Sequence, residues 1–344
     1  MTKREEQTRI TVLLSMKAPD GTTRFVDQIV TFKPPQEVIR YFSWRTAVLG
    51  AYDVLHVHWP EWMLRHSRRA VRWAKYVLML LLLLRLRLKS TAVVRTIHNV
   101  EPHRAGGSIE RFLVAALDRR TTEYVILNPF TPSSGPTTLI RHGSYVTRFA
   151  GYAKQPVIPG RILFFGRIEP YKNVNALIDV FAAMRSERHT LRIVGSLDES
   201  AFPDRGERLR RAVEDTPRVT ARFEFVSDEA LVEEITKSQL VVLHYTQMHN
   251  SGALLVALSL GRVVYTVPSE VNDWIQGEVG PDWLILDQEL TGERLSKALA
   301  QAESVGVGSD RAPNLDNREW TAVAHEHYAV YKKALMSVRR RGFR

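Results

Sequence analysis

Four short stretches hold side chains whose types and spacing could do chemistry. In 161–173, RILFFGRIEPYKN, an apolar run ends at Gly166, and Arg167 and Lys172 follow five residues apart across a turn holding Pro170. Two cations beside a helix start suit a diphosphate, the side chains supplying charge and the helix amides supplying donors. Asn173 is placed to cap that helix, whose apolar positions Val174, Leu177, Ile178 and Phe181 recur at helical spacing. An ordinary strand–helix junction with a solvated Arg and Lys fits the same letters. Gly195 ends another apolar run, where a nucleotide could lie against bare backbone. His249-Asn250-Ser251-Gly252 opens a helix at 253–260, which Gly261 closes. Asn250 or Ser251 can cap it, leaving amides near Gly252 to face a diphosphate. The plainer alternative is a capped core helix whose glycine serves packing.

The other two stretches carry histidines and carboxylates. The run at 52–57 leads into His58-Trp59-Pro60-Glu61. An aromatic face can stack on a sugar ring, and a carboxylate can bind its hydroxyls or act as a base. A buried Trp and a helix-capping Glu explain the same residues. The run at 91–97 leads into His98, followed by Glu101 and His103. A lone loop histidine usually serves structure, but its position at a strand's carboxyl end, where ligands of open α/β sheets collect, favours a functional one.

The elements that must position these groups follow a βαβ rhythm. Strands are predicted at 9–15, 28–32, 52–57, 91–97, 124–127, 139–145, 162–165, 190–195, 222–226, 240–244 and, last, 263–267. Helices are predicted at 37–50, 109–117, 173–181, 228–237, 253–260 and 319–336, with a surface turn at Pro19-Asp20-Gly21. Domains are expected at 1–152 and 153–315, with a linker at 150–159. A terminal helix would follow at 316–338, then a disordered basic tail at 339–344. The 344 residues suit two domains, and 44% hydrophobic with 25% charged residues supports a real core.

Segment 65–89 contains eight Lys or Arg and no acid. Arg65, Arg68, Arg69, Arg72 and Lys75 are predicted on one helix face, before nine apolar residues at 76–84. A bilayer span needs about 20 apolar residues, so the segment reads as a membrane-surface helix. A core helix with a solvated arginine face is the alternative. The net charge of +11 calls for an anionic partner. Nucleic acid is not expected, since no binding motif accompanies the charge. The absence of cysteine excludes disulfides and Cys-ligated zinc and fits a reducing cytoplasm. The start, MTKREEQTR, lacks a signal-peptide core.

Several of these motifs together resemble one family. The Gly166-Arg167…Lys172-Asn173 stretch resembles the donor-phosphate loop of GT4-like glycosyltransferases of the GT-B fold. DVLHVHWPE at 53–61 and the Asn250-Ser251-Gly252 segment are similar to bacterial exopolysaccharide glycosyltransferases, among them β-1,4-mannosyltransferases. TIH at 96–98 and IRHGSY at 140–145 match further GT-B segments. The resemblance implies two Rossmann-like domains facing a cleft, with the terminal helix crossing back to the first. It implies sugar transfer from a nucleotide-sugar, best GDP-mannose, to a lipid-linked or oligosaccharide acceptor at the inner face of the plasma membrane.

Within that implied site, Gly166, Arg167, Lys172, Gly195, His249, Asn250, Ser251 and Gly252 would hold the donor. His58, Trp59 and His103 would face the acceptor, as would the first loop at 16–24 if it is more than a surface turn, and Glu61, then His98 or Glu101, would be the base. No metal or other cofactor is expected, because the two cations would neutralise the leaving group. One departure stands out. Two carboxylates common in GT4-like donor sites fall on His249 and Ala257 here. Retention and the usual ribose contact are therefore open. A retaining UDP-sugar transferase and a non-catalytic nucleotide-sugar or glycolipid binder remain alternatives.

Overall fold

The computed structural model describes residues 9–19, 24–99, 106–197, 203–246, 250 and 252–342. Runs such as 54–57 and 240–243 are buried along their whole length, as parallel strands covered on both faces must be. The chain divides into two compact units, 1–143 with 317–344, and 144–316.

The first unit contains β1 (Ile10–Leu14), α1 (Arg24–Thr31), β2 (Glu37–Tyr41), α2 (Trp44–Leu49), β3 (Val54–Val57), α3 (Pro60–Leu64), α4 (Arg69–Leu88), β4 (Ala92–Ile97), α5 (Ser108–Asp118), β5 (Glu123–Ile126) and β6 (Thr137–Leu139). The second contains α6 (Val146–Phe149), β7 (Arg161–Phe165), α7 (Val174–Ala182), β8 (Thr190–Val194), α8 (Pro203–Asp215), β9 (Val219–Arg222), α9 (Asp228–Thr236), β10 (Leu240–Leu243), α10 (Gly252–Ser259), β11 (Val263–Thr266), α11 (Glu270–Val279), β12 (Leu284–Leu286) and α12 (Gly292–Val305). The last helix, α13 (Trp320–Gly342), belongs to the first unit.

Among the described residues each unit has one six-stranded parallel sheet, ordered β2-β1-β3-β4-β5-β6 and β12-β11-β10-β7-β8-β9. The order reverses between β1 and β3 in one sheet and between β7 and β10 in the other. Connections leave such a pair toward opposite faces, opening a crevice at the carboxyl ends of the two strands.

Period-two alternation divides the first core. Val12, Val54 and Val94 face α1 and α13, against Phe25, Ile29, Val330 and Tyr331. Leu13, Leu55 and Val93 face the other way, against Met79, Leu82, Leu113 and Leu117. The second core joins Phe164, Phe181, Ile193, Val242, Val264 and Leu299. There Glu234 receives Arg161 at 2.5 Å and Arg192 at 2.7 Å, fastening α9 to β7 and β8.

Several local expectations are corrected. The expected strand at 28–32 is part of α1, because Phe25, Val26 and Ile29 bury one helical face. The expected helix at 37–50 is β2 followed by α2. Ser43 interrupts it, its side chain capping α2 by accepting from Thr46 N. β9 lies at 219–222, ahead of the expected 222–226. β11 is followed by β12 rather than being last. Residues 144–152, assigned to the first domain and partly to a linker, group with the second unit, where Tyr145 and Phe149 are buried. α13 runs to Gly342, so 339–342 are helical rather than a disordered tail.

Candidate active site

The second sheet reverses where β7 ends in Gly166 and β10 ends before His244 and Tyr245. Gly166 has φ 108°, which favours glycine. A Cβ added to Gly195, at the end of β8, would sit 1.9 Å from the Gly166 carbonyl oxygen. Only a glycine at 195 lets these strand ends lie so close, and Gly166 is needed for its positive φ. Arg167 is exposed and pairs with Glu169, Nε to Oε1 at 2.8 Å. Lys172 is half-buried, its ammonium 5.2 Å from the Tyr245 ring centre and 6.0 Å from that of Tyr171. Burial pulls the Lys172 pKa down to about 8; Glu169 opposes the fall and Arg167 adds to it. Thr246 N and Oγ1 donate to Tyr171 O at 2.8 and 3.1 Å, pinning the turn at 170–172 to the end of β10.

Asn173 occupies the N-cap position of α7 but does not cap it. It adopts φ 57° and makes no side-chain cap bond, so the first amides of α7 are not taken by it. α10 begins at Gly252, with Asn250 half-buried just before it. Ala257, at one missing carboxylate position, is fully buried within α10. His249 and Ser251 lie outside the described residues. The turn thus brings Gly166, Gly195, Arg167 and Lys172 to one crevice. Tyr171, Tyr245 and Thr246 complete it, and sequence reasoning missed all three. Tyr245 lies just past the apolar run 240–243, at a strand's carboxyl end, the one signal that could have marked it.

The reversal in the first sheet lies between Ser15 and His58, where the His58 amide donates to Ser15 Oγ at 3.0 Å. His58 is buried, and its Nδ1 lies 3.0 Å from His98 Nε2, so one imidazole donates and the other accepts. The Trp59 ring stacks on His98 at 4.2 Å and on Trp62 at 4.6 Å. With partners on both faces, Trp59 is a poor sugar platform, whereas Trp62 is 55% exposed. Trp62 lines a cavity of about 580 Å³ with Phe42, Trp44, Met16, Lys17 and Asp27. Aromatic walls with a few charged groups suit a saccharide. Met16 and Lys17 belong to the loop at 16–24, read from sequence as acceptor-side or as a plain surface turn, whereas Trp44, Asp27 and Trp62 were not singled out.

Glu61 lies in the first turn of α3. Its charge acts on Arg65 and on Arg95, which burial holds below its usual pKa and Glu61 supports. Glu101 and His103 lie outside the described residues.

The basic residues are not one face. Arg65 precedes α4 and pairs with Glu110 at 2.6 Å, and Lys75 donates to Arg65 O at 2.7 Å. Arg68 and Arg69 are exposed and Arg72 is partly so.

Behind His58 lies a buried histidine cluster. His56 bonds Tyr331 OH and Thr96 Oγ1, both at 2.8 Å. His327 Nδ1 donates to Val323 O at 2.8 Å and His142 Nδ1 donates to Gly143 O at 2.9 Å. Burial, and then the neighbouring imidazoles, hold His56 and His98 well below 6.5. Burial pushes His58 down to about 3, and His142 and His327 down to about 4. The unfolded chain therefore binds more protons between pH 6.5 and these values. The histidine contribution is complete above pH 6.5 and is lost progressively as pH falls from 6.5 through 4 toward 3. Buried Glu37, pushed up to about 7, acts oppositely and gains stability as pH falls from 7 to 4.5. At about 1.4 kcal/mol per pH unit, Glu37 offsets one histidine between pH 7.5 and 4.5, and His58, His142 and His327 together outweigh it. The melting temperature is expected to drop by roughly 10 °C or more between pH 7.5 and 4.5. A flat profile by calorimetry would contradict neutral burial.

Two doubly wound units, one with a diphosphate-suited crevice and one with an aromatic saccharide-sized cavity, define a nucleotide-sugar transferase. A model of the family "Glycosyl transferases group 1" matches residues 159–302. A GDP-mannose:glycolipid 4-β-D-mannosyltransferase of Xanthomonas campestris pv. campestris is 41% identical over 330 residues, covering 95% of this chain and 93% of that protein. This chain belongs to the group 1 glycosyltransferases, and it is an enzyme of that class. Among solved structures, sucrose-phosphate synthase from Thermosynechococcus elongatus aligns with a TM-score of 0.64 at 14% identity, over 95% of this chain and 99% of that one. Anabaena HepE in complex with UDP aligns at 0.60 and 12%, over 96% and 98%. They share the GT-B fold with this protein.

Proposed function

We propose that the enzyme transfers mannose from GDP-mannose to a hydroxyl of a lipid-linked saccharide, with inversion, at the inner face of the plasma membrane. The observation that carries this reading is the 41% identity, over 95% of the chain, to a transferase of that name. Among the described residues no helix is long and apolar enough to cross a membrane. We therefore assign a peripheral attachment.

GDP-mannose is an α-mannosyl phosphate, so a β-product needs a single displacement. The acceptor oxygen bonds to C1, the C1–O bond to the β-phosphate breaks, and GDP leaves. Arg167 and Lys172 are assigned to the charge that grows on GDP, a task that needs no metal. The acceptor sugar is assigned to the Trp62 cavity. Glu61 is assigned as base. His98 is a poorer one, because its depressed pKa gives little driving force at neutral pH. His58 is buried and neither it nor His98 lines the Trp62 cavity, so no acceptor contact is assigned to the pair.

Calorimetric titration of GDP, GDP-mannose, UDP and UDP-glucose without added metal tests the donor. Selective guanosine binding is expected. Selective uridine binding would favour the retaining alternative, and no binding to any would favour a non-catalytic role.

A further inference from the structure

Helix α4 carries two apolar faces on opposite sides. Met79, Leu82 and Leu86 are buried against Leu55, Leu113 and Leu117. Trp73, Val77, Leu80, Leu81, Leu84 and Leu88 are 44–75% exposed. At about 100° per residue, these six fall within an arc of roughly 100°, centred opposite the buried three. A core helix needs only the first face. The second is an unbroken apolar stripe running most of the length of α4.

The surrounding charge identifies what covers the stripe. No Asp or Glu occurs between Glu61 and Glu101. Arg69 and Arg87 lie along one edge of the stripe by helical spacing, and both are exposed. Beside Trp73, a depression of about 870 Å³ is lined by Tyr76, Ile109, Arg72, His66 and the Arg65–Glu110 ion pair, so its acid is paired and its net charge is positive. Cations and aromatic rings next to an apolar stripe match lipid headgroups next to acyl chains. A second copy of this chain would set arginines against arginines. Among the described residues no helix is long and apolar enough to cross a membrane, so a lipid contact of α4 would lie in the plane of the interface.

We propose that α4 docks the enzyme on an anionic bilayer by sinking this stripe into the headgroup–acyl boundary. The apolar stripe, rather than the arginine face, is then the principal contact. This deepens the reading of the acceptor as a glycolipid, yet it is tested without any sugar.

The full-length protein is sedimented with vesicles of phosphatidylcholine alone or mixed with phosphatidylglycerol, in low salt and in high salt. The protein should bind the mixed vesicles and keep part of that binding in high salt, since apolar insertion is not screened. The double variant Leu80→Glu, Leu84→Glu should lose binding by roughly tenfold or more. Its GDP affinity and thermal melt should stay unchanged. Quenching of tryptophan fluorescence by brominated lipid should fall in Trp73→Phe. Undiminished binding of the double variant would overturn the proposal, as would complete release of the wild type by salt. Sedimentation velocity covers the remaining occupant. A dimer that the double variant dissolves, with vesicle binding unaltered, would assign the stripe to a second copy and also overturn it. GDP binding without vesicle binding would sink the docking surface while leaving the transferase reading intact.

Discussion

Replacing Lys172 with Ala is expected to lower kcat/KM for the donor by about 10²–10³-fold, roughly 2.7–4 kcal/mol of transition-state stabilisation. The size follows from where the ammonium sits. It is half-buried over Tyr171 and Tyr245, so its charge acts through little water. The loss should fall mainly on kcat, because charge on the diphosphate grows as C1–O breaks. Burial carries the pKa to about 8, and a bound diphosphate must raise it again. Near pH 8.5, GDP binding should therefore take up a fraction of a proton. Calorimetry in buffers of different ionisation enthalpy reads this directly, and Lys172→Met should abolish it. Equal heats in all buffers, together with unchanged kinetics, would remove Lys172 from the site. Arg167→Ala should cost less, since Arg167 is exposed and already shared with Glu169.

Glu61→Gln is expected to reduce turnover by about 10²–10⁴-fold while leaving GDP affinity within about twofold. The amide keeps the shape and removes the proton acceptor. Glu61 lies in the first turn of α3, among Arg65 and Arg95, and it has a helix-capping alternative. The two roles separate in the readouts. A capping role predicts a lower melting temperature with near-normal turnover, and a base predicts the reverse. Normal turnover would shift the role to His98, whose replacement should then flatten the acidic limb of the pH–rate profile.

Much of the architecture was legible because parallel strands must be apolar on both faces. The runs at 54–57, 162–165 and 240–243 could hardly be anything else. The failures came where elements are short. Segment 28–32 reads as a strand by its residues, but only its pairing partners could decide that, and Phe25 and Ile29 bury a helix instead. Phe223 and Phe225 drew the expected strand past the true end of β9.

The site divides in the same way. Gly166, Arg167 and Lys172 were visible because they share one turn. Tyr245 and Thr246 were not, since they reach that turn from β10, some seventy residues on by the register of the second sheet. Of the Trp62 cavity only the loop at 16–24 was visible, for the same reason. Its walls come from the ends of β1 and β2 and from α1, α3 and α4, which only the folded sheet brings together. Trp59, an obvious sugar platform by position, has its faces covered by His98 and Trp62. The sequence shows an aromatic but not which ring is left uncovered.

The central claim is sugar transfer, and the most direct test is to follow it. The purified enzyme is incubated with radiolabelled GDP-mannose and a lipid-linked oligosaccharide acceptor, with labelled UDP-glucose in parallel. The account predicts that label from GDP-mannose enters the lipid fraction as a β-mannoside, resolved by NMR of the product, and that UDP-glucose labels nothing. Transfer from UDP-glucose alone, or a product in the α configuration, would contradict it.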